Sequence, residues 1–189
     1  LHVSKAFAPE RPLFSHPEFD FENRIVQADL PSGLTVASIY VPNGGKDFPA
    51  KVAFLEAMDV YAATRQAAGR TAVLCGDLNI ARTDRDVHPK ERKPRAIGQL
   101  PEERAMLERI IGRGLVDVGR TLDPENERLF TWWAPWRNMR QRNIGWRLDM
   151  IAASTALVDE TLHVVHYRDV GTSDHGPVIA WLRDTPRPA

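Results

Sequence analysis

The chain has 189 residues, 43% of them hydrophobic and 26% charged, enough for one core-bearing domain and too few for two comfortable ones. Its formal net charge is zero, which argues against a non-specific nucleic-acid coat protein. A single cysteine, Cys75, excludes an internal disulfide framework and suits a reducing compartment.

No apolar run approaches the roughly 20 residues needed to span a bilayer. The stretch from Leu1 to Arg11 lacks a basic region followed by a continuous apolar run, so no secretory signal is expected. Alternation and β-branched enrichment predict strands over Ile25–Leu30 and Leu34–Tyr40, with Pro31, Ser32 and Gly33 as the turn between them. A helix is predicted over Ala50–Ala68, with Val52, Leu55, Met58 or Asp59, and Ala62 near the helical period and Gly69 as its C-cap. Ala72–Cys75 reads as a short buried strand ending in Gly76. The polar, charged stretch from Ile80 to Leu100 reads as a long functional loop. Pro101 opens a helix through Ile111 that Gly112 and Gly114 close. Strands follow at Leu148–Ser154, His163–Tyr167 and Val178–Leu182, and residues 183–189 read as a flexible tail. The order is that of an α/β protein.

The zero net charge hides local imbalance. Between Trp136 and Arg147 lie four arginines (Arg137, Arg140, Arg142, Arg147) and no acid, and Arg82 to Arg95 holds six Lys or Arg against three acids. Four of the five tryptophans (Trp132, Trp133, Trp136, Trp146) fall in the first of these regions or just before it. A solvated charged face explains such runs ordinarily, but not the clustered tryptophans.

Four short segments carry candidate chemistry. In Gly76-Asp77-Leu78-Asn79, a strand direction that persists puts Asp77 and Asn79 on one side, a carboxylate and an amide together, while Leu78 turns into the core. Such a pair can serve as base, metal ligand or phosphate holder; an Asx turn ending a strand is an equal alternative. In Ser173-Asp174-His175-Gly176-Pro177, adjacent Asp174 and His175 cannot face the same way, so they should engage different partners. In Gly145-Trp146-Arg147-Leu148-Asp149-Met150, Asp149 opens an apolar strand and needs a partner there, either a protonated histidine or a nearby arginine. In Tyr40-Val41-Pro42-Asn43-Gly44-Gly45 a strand ends in a tight loop bearing a phenol and an amide.

These segments, in this order, resemble the exonuclease III / apurinic endonuclease family within the endonuclease–exonuclease–phosphatase superfamily. The resemblance runs from about Phe19 to Leu182 and includes Leu100-Pro101-Glu102-Glu103-Arg104 and Gly114-Leu115-Val116-Asp117. It implies a four-layer α/β/β/α sandwich over residues 1–182, and Mg²⁺ or Mn²⁺ as cofactor. It also implies double-stranded DNA with abasic sites as partner, no membrane and, if the source is bacterial, a cytoplasmic, nucleoid-associated location. By the same resemblance Asp77 orients or deprotonates the attacking water and Asn79 is its partner on the phosphate. His175 contacts the scissile phosphate with Asp149 orienting it, and Asp174 lies near the metal with Asp77 and Asn79. Tyr40 and Asn43 contact the phosphate. Trp132, Trp146 and Leu148 wall a pocket for an extruded abasic sugar, Lys46 and Trp136 insert into the duplex, and Arg142 belongs to the DNA-binding set. The family pattern begins with an Asn-bearing strand and, later, a Gln-Glu motif whose Glu is the principal metal ligand; neither occurs here. A chain without those strands is expected to expose a sheet face and to associate with itself. A superfamily phosphatase acting on a phosphoinositide or nucleotide, and a non-catalytic DNA-binding homologue, are the alternative readings.

Overall fold

The computed structural model of the protein describes residues 1–20, 22–158 and 163–182. Its strands are β1 (Leu13–Ser15), β2 (Ile25–Asp29), β3 (Thr35–Tyr40), β4 (Ala72–Asp77), β5 (Leu115–Asp117), β6 (Asp149–Ser154), β7 (Val164–His166) and β8 (Val178–Ala180). Its α-helices are α1 (Phe48–Ala67), α2 (Pro101–Ile111) and α3 (Val118–Leu122). One sheet has the order β1-β2-β3-β4-β6-β5, and β7 pairs separately with β8. Only β3 and β4 run parallel, because α1 crosses over between them; the remaining described pairs are antiparallel.

Local chemistry sets the helix starts. The Asp47 carboxylate accepts from the Ala50 amide at 2.9 Å and Pro49 occupies the first turn, so α1 starts at Phe48, ahead of the expected Ala50. α1 buries Lys51, Leu55, Met58 and Ala62, one stripe at helical spacing that contains a lysine. Val52, expected on that stripe, is half-buried beside it. α2 keeps its expected bounds and presents Met106, Leu107, Ile110 and Ile111. Both helices pack on Ile39, Leu74, Met150 and Ala152 of the sheet.

The opposite sheet face carries Ala28, Val73, Ala153 and the half-buried Val36 and Ile151. Val164 and Ala180 of the β7–β8 hairpin, with Val3 and Ala8 of the N-terminal segment, lie over it. Helices, a six-stranded sheet and a two-stranded piece of a second sheet make a partial form of the expected sandwich. The expected bare face is thus covered in part, while Leu13, Phe14, Ile179 and Trp181 remain exposed.

Elements of three to five residues escaped the periodicity argument, namely β1, β5 and α3. The strands expected at 148–154, 163–167 and 178–182 are each shorter, and the expected tail lies outside the described residues. The loop from Ile80 to Leu100 holds two 3-10 turns, Asp84–Asp86 and Pro89–Glu91. Among the described residues no helix is long and apolar enough to cross a membrane.

Candidate functional site

The sheet register aligns Tyr40 with Asp77, and Asp77 with Asp149, across β3, β4 and β6. Side chains in one cross-strand row share a face. Ile39, Leu74 and Met150 point to the helices, so this row points to the other side, toward the hairpin layer. Three polar residues from distant parts of the chain therefore stand together where strands end. Tyr40 is exposed, with the Arg24 guanidinium 5.2 Å from its ring centroid.

The strand direction does not persist beyond Asp77. Gly76 has φ +139° and the chain turns at Asn79, which has φ +51°. Asp77 Oδ1 accepts from the Asn79 amide at 2.9 Å, an Asx turn, and Asp77 Oδ2 accepts from Asn79 Nδ2 at 3.1 Å. The turn and the paired side chains, weighed in the sequence as alternatives, coexist. Asn79 also donates to the Val41 carbonyl at 2.9 Å and accepts from Asn43 Nδ2 at 3.1 Å. Leu78 is buried in the helix-side core.

His175 Nδ1 lies 2.8 Å from Asp149 Oδ2, so Asp149 is paired with the histidine and not with an arginine. Asp174 turns the other way and accepts from the Trp132 indole N–H at 2.9 Å. A strap at Thr131–Trp133 ties these segments together. Thr131 Oγ1 accepts from the Leu148 and Asp149 amides at 3.0 and 2.9 Å. The Thr131 carbonyl accepts from Gly176 at 2.7 Å, and Trp133 N–H donates to the Asp174 carbonyl at 3.0 Å. Trp132 and Trp146 meet edge to face at 5.9 Å over Leu148, Ala81 and Val87.

The electrostatics follow from this packing. Burial pushes the Asp77 carboxyl up to about 6, helped by the Asp149 charge and opposed by the Asn79 amide, His175 and Lys51. The hydrogen bond to Asp149 holds the His175 imidazolium above the usual histidine range.

The basic run divides by role. Arg147 is 1% exposed and bonds Asp86 Oδ1 at 2.7 Å and both oxygens of Asp117 at 2.9 and 2.7 Å. Burial opposes ionisation of Asp86, but Arg147 and Arg120 outweigh it and bring its pKa down to about 2. This network clamps β5, the Asp84–Asp86 turn and the Trp146 stretch together. Arg140 donates to the carbonyls of Arg168, Val170 and Ser173 and stacks 5.1 Å from the Trp133 ring, joining the 135–143 loop to the one bearing Asp174. Arg137 and Arg142 are exposed, as are Trp136, Lys46 and Asn43. Asn43 alone among these touches the cluster; no described contact joins Lys46, Trp136 or Arg142 to it.

Sequence reasoning missed Lys51, Glu103 and Thr131. Lys51 Nζ lies 2.5 Å from Glu103 Oε1, and both side chains are fully buried. A lysine spaced with Leu55, Met58 and Ala62 was the available signal.

The fold and site together define an α/β sandwich with a polar cluster at the strand ends between its layers. The chain belongs to the Endonuclease/Exonuclease/phosphatase family, whose pattern it matches over residues 6–175. It is 32% identical over 170 residues to the DNA repair nuclease APEX1 of Danio rerio, covering 87% of this chain and 54% of that protein. It is 32% identical over 165 residues to an exodeoxyribonuclease of Bacillus subtilis (strain 168), covering 85% of this chain and 64% of that protein. The chain thus spans less than two thirds of the length of these relatives. A 3′-phosphatase from Neisseria bound to product DNA hairpin matches with TM-score 0.77 at 28% identity, over 90% of this chain and 70% of that one. An AP endonuclease from Archaeoglobus fulgidus matches with TM-score 0.77 at 26% identity, over 92% of this chain and 72% of that one.

Proposed function

We propose that the chain carries a DNA-repair phosphodiesterase site that hydrolyses the backbone 5′ to abasic sites or removes groups from 3′ ends. The observation that carries this reading is the Tyr40–Asp77–Asp149 row with His175 paired to its last member. The names of the similar proteins agree with DNA as substrate.

Asp77 takes the proton of a water at its carboxylate, which the two bonds from Asn79 hold in place. With its pKa near 6 it is ionised at neutral pH yet basic enough to accept that proton. The water oxygen bonds to phosphorus while the bond from phosphorus to the 3′ oxygen breaks, and the leaving oxygen takes a proton from solvent water, to which Asp77 later returns its own. His175, whose charged form Asp149 favours and aims, neutralises charge gathering on the non-bridging oxygens. Tyr40 and Asn43 hold the phosphate. Trp132, Trp146 and Leu148 receive the extruded sugar, while Lys46, Trp136 and Arg142 contact the duplex.

The divalent ion implied by the resemblance is not matched by a protein cage. Among the described residues no group of three or more His, Cys, Asp or Glu is placed to hold a metal ion. Asn79 Oδ1 accepts from Asn43, and an oxygen of Asp174 accepts from Trp132. Asp77, Asn79 and Asp174 as ligands, with Mg²⁺ or Mn²⁺, would need further oxygens from water or phosphate. Self-association through the exposed Leu13, Phe14, Ile179 and Trp181 belongs to the same proposal and is checked by sedimentation.

The test is single-turnover cleavage of abasic duplex, intact duplex and a phosphoinositide at saturating Mg²⁺. Abasic duplex should be preferred, and Asp77→Asn and His175→Ala should each slow its cleavage by about 10²–10⁴-fold. Near-normal rates in either variant remove that residue from the mechanism, and preferred phosphoinositide turnover establishes the phosphatase reading instead.

A further inference from the structure

We propose that Lys51 is a positioning residue for this site, anchored by Glu103 and acting through the backbone of Asn43 and Asn79. The inference rests on the reading of Asn43 as a holder of the phosphate and of Asn79 as the residue that holds the Asp77 carboxylate in place. Lys51 Nζ donates to the Asn43 carbonyl at 3.1 Å and to the Asn79 carbonyl at 2.8 Å. One buried cation thus joins the loop after β3 to the turn after β4. These are the two segments whose side chains meet through Asn43 Nδ2 and Asn79 Oδ1. Asn79 sits at φ +51°, a left-handed conformation that asparagine tolerates and that its bonds to Asp77 and Val41 hold. The Nζ bond to its carbonyl is a further tie on the same turn.

Glu103 extends the link to the pocket wall. Its Oε2 accepts from the Gly98 amide at 2.6 Å and the Leu100 amide at 3.1 Å, and its Oε1 faces Lys51. A Cβ on Gly98 would lie 3.1 Å from the Asn79 carbonyl oxygen and 3.2 Å from the Trp146 ring, so this stretch fills the space between turn and pocket. A buried ion pair is weak as a source of stability, since apolar substitutes of similar volume often do as well. What an apolar pair cannot do is donate to two carbonyls at once. The geometry therefore assigns the pair to alignment of the site.

Lys51→Met/Glu103→Gln removes the Nζ donor without stranding a buried charge, and Glu103→Gln alone keeps it. The double variant leaves the Asn43 and Asn79 carbonyls without that donor, so it should fold with a lowered unfolding temperature. Its kcat on abasic duplex should fall about 10–100-fold with KM within about threefold, the cost of a misaligned site. Glu103→Gln, which keeps the Nζ donor but removes its anchor, should lower kcat by a smaller amount, about 3–10-fold. NMR of the side-chain amides of Asn43 and Asn79 gives a readout independent of catalysis: sharp, slowly exchanging signals in the natural chain, partly broadened in Glu103→Gln and most broadened in the double variant. Wild-type kcat and unchanged amide signals in a folded double variant overturn the proposal. Should that variant not fold, Glu103→Gln decides, and wild-type kcat with unchanged amide signals in it overturns the proposal. Absence of abasic cleavage by the natural chain itself would sink the functional reading instead, and the amide signals would still judge the alignment.

Discussion

Replacing Asp77 by Asn should stabilise the folded protein, and by an amount that grows with pH. The Asp77 carboxyl titrates near 6 when folded against 3.8 for an ordinary aspartate, chiefly because burial disfavours its charge. Its folded pKa is raised, so its contribution is most favourable below the unfolded pKa and is lost as pH rises through the folded one. At about 1.4 kcal/mol per unit, ionising it in the fold costs roughly 3 kcal/mol at most, with relaxation and partial exposure bringing that to about 1–3 kcal/mol. Asparagine pays none of it and keeps an oxygen for the Asn79 amide bond. In urea unfolding with a chelator present, the stability gap between variant and natural chain should widen by about 1 kcal/mol from pH 5 to pH 8. The comparison across pH removes the constant effects of the substitution, including any altered hydrogen bond. A gap that is flat or narrows with rising pH would refute the reasoning, and with it the view that Asp77 is held as a poised base at the expense of stability.

Gly76→Ala should destabilise the fold by about 2–4 kcal/mol in the same assay. A Cβ there would meet the Ile39 carbonyl oxygen at 2.0 Å, and φ is +139°. Trp146→Ala should reduce selection of abasic over intact duplex in competition binding if, as proposed, the wall it forms with Trp132 receives the extruded sugar. Replacing the exposed Arg137 and Arg142 together should weaken binding to every duplex and reduce the slope of log affinity against log salt by about 1–2. Arg140→Gln should leave that slope unchanged, since its guanidinium is spent on three carbonyls.

Much of this protein follows from short-range pattern. Helices α1 and α2 are legible because their apolar stripes repeat at the helical period and Asp47, Pro49 and Pro101 mark their starts. The longer strands β2, β3, β4 and β6 are legible from alternation or apolar runs, and Asp77, Asn79, Asp149 and His175 stand out because polar residues at strand ends need a reason. The short elements β1, β5 and α3 carry too few residues to establish a period; pairing with β2 and β6, and packing against β6 and β7, make them. The arginines show the division most clearly. Arg137, Arg140, Arg142 and Arg147 look alike along the chain, yet two are exposed, one staples a loop and one is locked between Asp86 and Asp117. Nor does any local pattern say that Lys51 faces inward to Glu103, fifty-two positions away. Residue type and local period determine which segments become helix or strand. Which charge is buried and which partner it meets is decided when the sheet register closes, because the partners come from segments far apart in sequence and burial is tolerable only where they arrive together.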